Sequence, residues 1–182
     1  LRQTVLRLLH RGLLRKALGF VGRLHLRQFR LRRSEAVCEE FGGGRAAAET
    51  RGELGTNGTV ETRLSEAQAG ASVLGAAWRE NLVWPDGEIG GADHVRAAVE
   101  LVRRCQPSTI LIPYWGDRHP DHVAASQVLT TAVFKSGLRR YDAQGDRWSP
   151  AWVCYYFINN WVAPSFVVDV SAHYDAKRRA LE

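Results

Sequence analysis

Acidic residues are what this chain lacks first. Its opening 33 residues hold ten Arg and Lys and no Asp or Glu, and no aspartate occurs before Asp86. That absence excludes any aspartate-based motif from the first 85 positions. Cysteine is also scarce. Cys38, Cys105 and Cys154 are far apart, odd in number and without C-x-x-C spacing. This excludes a disulfide framework or zinc knuckle and reads as small buried hydrophobes in a reducing, cytoplasmic compartment. No apolar run is long enough to span a bilayer. Internal repeats and low-complexity tracts are absent too, which excludes solenoids and arrays.

What is present is ordinary in bulk and uneven in detail. Across 182 residues, hydrophobic content is 45% and charged content 24%, enough for one domain with a real core. The net charge of +6 is all at the front. Residues 1–50 carry eleven Arg and Lys against four Glu, whereas residues 51–182 carry fourteen against fifteen acids. From Thr50 onward there is no electrostatic footprint for nucleic acid. Four readings fit the front: a basic amphipathic helix for a membrane or an RNA, a transit peptide, a solvated helix, or a wrong-frame translation.

From Thr50 the texture becomes that of an enzyme. Residues 50–59 read as a glycine- and threonine-rich loop. Thr59 then caps a helix carrying Leu64, Ala67, Ala71 and Leu74 and ending near Gly75. Trp84-Pro85-Asp86-Gly87 reads as a turn. Val95, Ala98, Val99 and Val102 mark a second helix, and Ala125, Val128, Leu129, Ala132 and Val133 a third, stopped by Gly137. Ser108–Pro113 reads as an apolar strand covered on both faces. Residues 153–158 and Phe166–Val170 read as two more strands, with Ser171 capping a last helix that runs into the chain end, as in a C-terminal truncation. Alternating strands and helices predict an α/β domain with a mainly parallel sheet.

The chemistry concentrates in Pro113-Tyr114-Trp115-Gly116-Asp117-Arg118-His119-Pro120-Asp121-His122, at the mouth of the apolar strand. Open α/β sheets place their sites beyond the strand C-termini. His119 and His122 lie three apart, and Pro120 suits the first turn of a helix. One imidazole can bind zinc while another stabilises an oxyanion or protonates an amine, with Asp121 or Asp117 orienting a ring. The plain alternative is a surface loop whose histidines only pack or hydrogen-bond, and H-x-x-H alone does not decide. His94 and His173 have no acidic or imidazole residue at ligand spacing in the sequence and read as surface residues.

Residues 50–182 resemble the PIG-L/LmbE-type zinc-dependent N-acetylglucosamine deacetylases, most closely the branch that makes bacillithiol. The resemblance rests on Thr50-Arg51-Gly52-Glu53-Leu54-Gly55-Thr56 with Gly58-Thr59, on Arg63, Glu66 and Ala67, and on Trp78-Arg79-Glu80-Asn81-Leu82. It continues through Pro85-Asp86-Gly87, the Pro113–His122 loop, Tyr155-Tyr156-Phe157-Ile158-Asn159, and residues 164–171. It implies a Rossmann-like three-layer fold and a cytoplasmic hydrolase that removes acetyl from a GlcNAc conjugate, GlcNAc-malate in that branch. By the same resemblance His122 is a zinc ligand, and His119 is catalytic, stabilising the tetrahedral intermediate or protonating the amine. Asp121 fixes the His119 ring. Arg51, Glu53 and Arg118 line the sugar pocket, with loop anchoring as the plain alternative for Arg51 and Glu53.

The family's other motif, a strand ending in Ala-His-Pro-Asp-Asp that completes the zinc site, has no match in residues 1–49. His10 is followed by Arg11-Gly12 and His25 by Leu26-Arg27. Residues 1–49 therefore read as a basic segment outside the family pattern, with a frameshift just upstream of Thr50, and residues 50–182 as a partial deacetylase domain. The expectation is an incomplete, inactive copy whose partner is a small amino sugar, with no nucleic acid or membrane and with homo-oligomerisation left open. Two alternatives stand beside it: a non-catalytic binding module with an RNA- or membrane-contacting arm, and a related deacetylase for another amino sugar or an inositol conjugate.

Overall fold

The computed structural model describes residues 44–182, all within one compact unit, Gly42–Glu182. The expectations that fall on residues 1–43, including the basic front, Cys38, His10 and His25, lie outside the described residues. In chain order the elements are β1 (Arg45–Thr50), α1 (Val60–Val73), β2 (Trp78–Trp84), α2 (Gly91–Cys105), β3 (Thr109–Pro113), α3 (Pro120–Ser136) and β4 (Trp152–Tyr156). A 3-10 turn (Ser171–His173) then leads into α4 (Tyr174–Arg179). β1 pairs with β2 and β3 with β4, both parallel, so this is an α/β fold of short parallel strands crossed over by helices.

Two helices, α1 and α3, start where a side chain provides a cap. Thr59 accepts the Thr62 N–H at 3.2 Å, as a cap threonine should. α2 ends on Gln106 in the left-handed region (φ +46°), with its N–H returned to the Val102 carbonyl. The predicted stripe Val95, Ala98, Val99 and Val102 is buried to the last residue. It meets Val128 and Ala132 of α3, and Trp84 closes the cluster from the end of β2. Each buried valine there contributes about 1.5–3 kcal/mol relative to exposure.

Arg103 shows why α2 and α3 stay together. It is 4% exposed, yet its guanidinium donates to the carbonyls of Ser136, Leu138, Tyr141, Ala143 and Gly145. A buried charge is tolerable when its donors are satisfied, and here they bind the loop after α3 to α2.

Four expectations need correction. β1 begins at Arg45, ahead of the boundary drawn between residues 49 and 50, and so supplies a strand where only a front segment and a loop were read. Alanine and glutamate are weak strand formers, and pairing with β2 rather than propensity makes this strand. β3 is covered on one face only: Ile112 is fully buried while Leu111 is 64% exposed. Phe166–Val170 forms no strand, and Phe166, Val167, Val168 and Val170 are exposed, because propensity is realised only beside a partner edge. Ser171 does not cap a helix; it starts the 3-10 turn, and its own N–H is bound by the Asp169 carboxylate at 2.9 Å.

Candidate functional site

The loops after β1, β2, β3 and β4 all lie at strand C-termini and are hydrogen-bonded into one rim. In the loop after β1, Gly52 adopts φ +66°, and a Cβ on Gly55 would run into the Arg63 guanidinium beneath it. That loop is tied to the β2 turn in both directions. The Leu54 N–H donates to the Asp86 carboxylate (3.1 Å), and the Asp86 N–H donates to Glu53 (3.1 Å). The turn passes the connection on, since the Gly87 N–H donates to Asp121 at the start of α3 (3.0 Å). On the far side, the Asn159 backbone and side-chain N–H groups donate to Asp117 (3.0 and 2.9 Å), and the Asn160 amide donates to the Gly116 carbonyl (2.8 Å).

The two histidines share one place in this rim. His119 caps α3 with its ring: Nδ1 accepts the Asp121 N–H at 3.2 Å, and Pro120 fills the first helical position. The remaining proton of a neutral His119 therefore sits on Nε2. One turn on, the His122 ring stacks against it, with centroids 4.6 Å apart and planes 23° from parallel. His122 Nδ1 lies 3.2 Å from Asp117, whose side chain is 3% exposed. Burial pushes the Asp117 carboxyl up. The N–H groups of Asn159 and His119, together with His122, outweigh that and hold it well below the usual carboxylate range.

The predicted site residues divide. His119, His122 and Asp117 come together. Asp121 is 8% exposed, and its carboxylate turns to the Gly87 N–H, so its backbone rather than its side chain holds His119. The expectation that the Asp121 carboxylate fixes that ring is corrected accordingly: at the second helical position it reaches the neighbouring loop instead. Glu53 anchors loops through Asp86, and its pKa is lowered by backbone N–H groups. Arg51 and Arg118 are exposed on the rim. Two residues carry signals not read from sequence. Asn159 follows β4, where a strand-end position was the clue. Glu49, at the end of β1, has its carboxyl pushed up by burial, opposed by a backbone N–H and by His122.

Among the described residues, no group of three or more His, Cys, Asp and Glu side chains could hold a metal ion. A zinc ion needs three or four donors, and the rim supplies His122 with one ring nitrogen free of Asp117. The described residues therefore do not fit zinc by themselves. Two cavities among the described residues, of about 350 and 410 Å³, lie one between α2 and α3, where it reaches Ile89 and Gly90 of the loop after β2, and one beside Arg103 and Arg147.

Residues 25–133 match the family PIG-L, GlcNAc-PI de-N-acetylase, starting inside the basic front. The chain belongs to the PIG-L family. A conserved protein of Thermus thermophilus, TT1542, is 34% identical over 80% of this chain and 68% of its own, with a TM-score of 0.76. Two further solved structures share the PIG-L-type fold. One is GalB, the 4-carboxy-2-hydroxymuconate hydratase of Pseudomonas putida, at 22% identity over 81% of this chain and 69% of its own, TM-score 0.69. The other is the N,N'-diacetylchitobiose deacetylase of Pyrococcus horikoshii, at 21% identity over 80% of this chain and 60% of its own, TM-score 0.69. Among the described residues of this PIG-L chain, no helix is long and apolar enough to cross a membrane.

Proposed function

We propose that this chain carries the His119–His122 half of a deacetylase site for a GlcNAc conjugate, GlcNAc-malate by resemblance, and is itself an incomplete, inactive copy. The observation that carries this reading is the stacked imidazole pair at the head of α3, in a rim where the described residues form no group of three metal donors. His119 Nε2–H is the group for the amide: it can donate a hydrogen bond to the oxygen as that atom gains charge. Asp117 accepts three N–H groups, which hold it ionised and make it a weak base for an attacking water, while Asp121 accepts the Gly87 N–H. A zinc ion held in a complete site, with His122 as one ligand, would supply Lewis-acid polarisation of the carbonyl and the water. No step is assigned to zinc in this chain.

Arg51 and Arg118, exposed on the rim, are the groups proposed for sugar hydroxyls or the malate carboxylates. The partner is a small amino sugar in a cytoplasmic setting. The experiment is acetate release from GlcNAc-malate by the purified full chain with zinc supplied. The expected outcome is release at the no-enzyme rate. Turnover that disappears in His119→Gln would overturn the inactive reading and retain the deacetylase one.

A further inference from the structure

Asp117 is the most heavily engaged carboxylate of the rim, and none of the family-implied roles uses it. Its Oδ1 accepts the His119 backbone N–H at 2.8 Å and the Asn159 side-chain N–H at 2.9 Å. Its Oδ2 accepts the Asn159 backbone N–H at 3.0 Å. The fourth neighbour is His122 Nδ1, 3.2 Å from Oδ1.

A carboxylate accepts and never donates, so a ring nitrogen at that distance must bring the proton. The competing donor is the Asn159 amide, 3.4 Å from the same nitrogen. It is the weaker claimant. One of its N–H groups is already on Asp117, and a bare lone pair on Nδ1 would face the Asp117 oxygen at closer range. His119 is set the other way, because its Nδ1 accepts from Asp121. The two stacked rings therefore hold opposite tautomers.

We propose that Asp117 is a positioning residue: it fixes His122 as the Nδ1–H tautomer, leaves Nε2 as a lone pair, and through Asn159 locks that ring to the loop after β4. The arrangement follows the general logic by which a carboxylate orients an imidazole for work at its other nitrogen. The proposal concerns the same loop as the deacetylase reading, but its test requires neither turnover nor metal, so each can fail without the other.

The test is ¹⁵N–¹H correlation of the histidine rings in the full chain at about pH 8.5, where an ordinary imidazole is neutral. His122→Gln assigns the resonances. His94 is the internal reference, since its Nδ1 accepts the Gly90 N–H at 2.9 Å and its proton belongs on Nε2. In the unsubstituted chain His122 should show a protonated Nδ1 and an unprotonated Nε2, opposite to His94. In Asp117→Ala the single-tautomer pattern should be lost and the two nitrogen shifts should move towards each other, with His94 unchanged. In Asn159→Ala, which keeps the carboxylate, His122 should retain Nδ1–H. A protonated Nε2 at His122 in the unsubstituted chain overturns the proposal even if the Asp117 variant does not fold. Loss of the pattern in Asn159→Ala also overturns it, since the amide would then be the holder.

Discussion

The α2–α3 layer and the segment 158–170 are both rich in apolar residues and end up in opposite environments. Val99 and Ala132 are fully buried, whereas Trp161 is 82% and Val168 66% exposed. The stripe on α2 finds a partner because its residues recur every three or four positions and face another helix doing the same. Phe166–Val170 has the composition of a strand but pairs with no strand among the described residues, and its side chains stay in solvent. Burial is a property of the pairing, and composition only makes it available.

The largest expected effect breaks the well-packed side. Arg103→Ala leaves a row of carbonyls without their shared donor and should cost about 3 kcal/mol, read as a lower urea midpoint. A direct contrast follows. Val99→Ala should cost about 2 kcal/mol, while Val168→Ala should stay within about 0.5 kcal/mol by the same urea titration. Equal losses at the two sites would erase the distinction between layer and segment.

The strand ends sit between these extremes. Val83 adopts φ +58°, where a β-branched residue is strained, and its side chain is 53% exposed. Val83→Asn should therefore stabilise by about 1 kcal/mol, seen as a higher Tm. The smallest effect concerns Glu49, whose raised pKa means the ionised form is disfavoured in the fold. Its ionisation costs stability at neutral pH, and the cost fades as pH falls towards the ordinary glutamate value of about 4.3. Glu49→Gln should raise Tm at pH 7 and leave it unchanged below about pH 4.

Much of the fold was legible. The cap at Thr59, Pro120 in the first turn of α3, the α2 stripe and the β3–loop–α3 unit are local patterns, and local patterns survive into structure, whereas the His119 ring as the cap of α3 was not read. β1 and β2 were not legible as strands, because Arg45, Glu49, Arg79 and Glu80 interrupt any alternation and their pairing joins positions some thirty apart. The site divides along the same line. The His119–His122 pairing follows from a spacing of three on one helix. The attachment of Asp121 to Gly87, and of Asp117 to Asn159, crosses 34 and 42 residues and has no local signature. Asp117 rather than Asp121 faces an imidazole because α3 starts at Pro120, which turns the second carboxylate towards the β2 loop.

Zinc stoichiometry is the most direct measurement of whether this rim is half a site. The full chain, dialysed against zinc-free buffer after loading, should retain far less than one zinc per chain, and His122→Gln should change that little. One zinc per chain that survives dialysis and is lost in His122→Gln would contradict the claim.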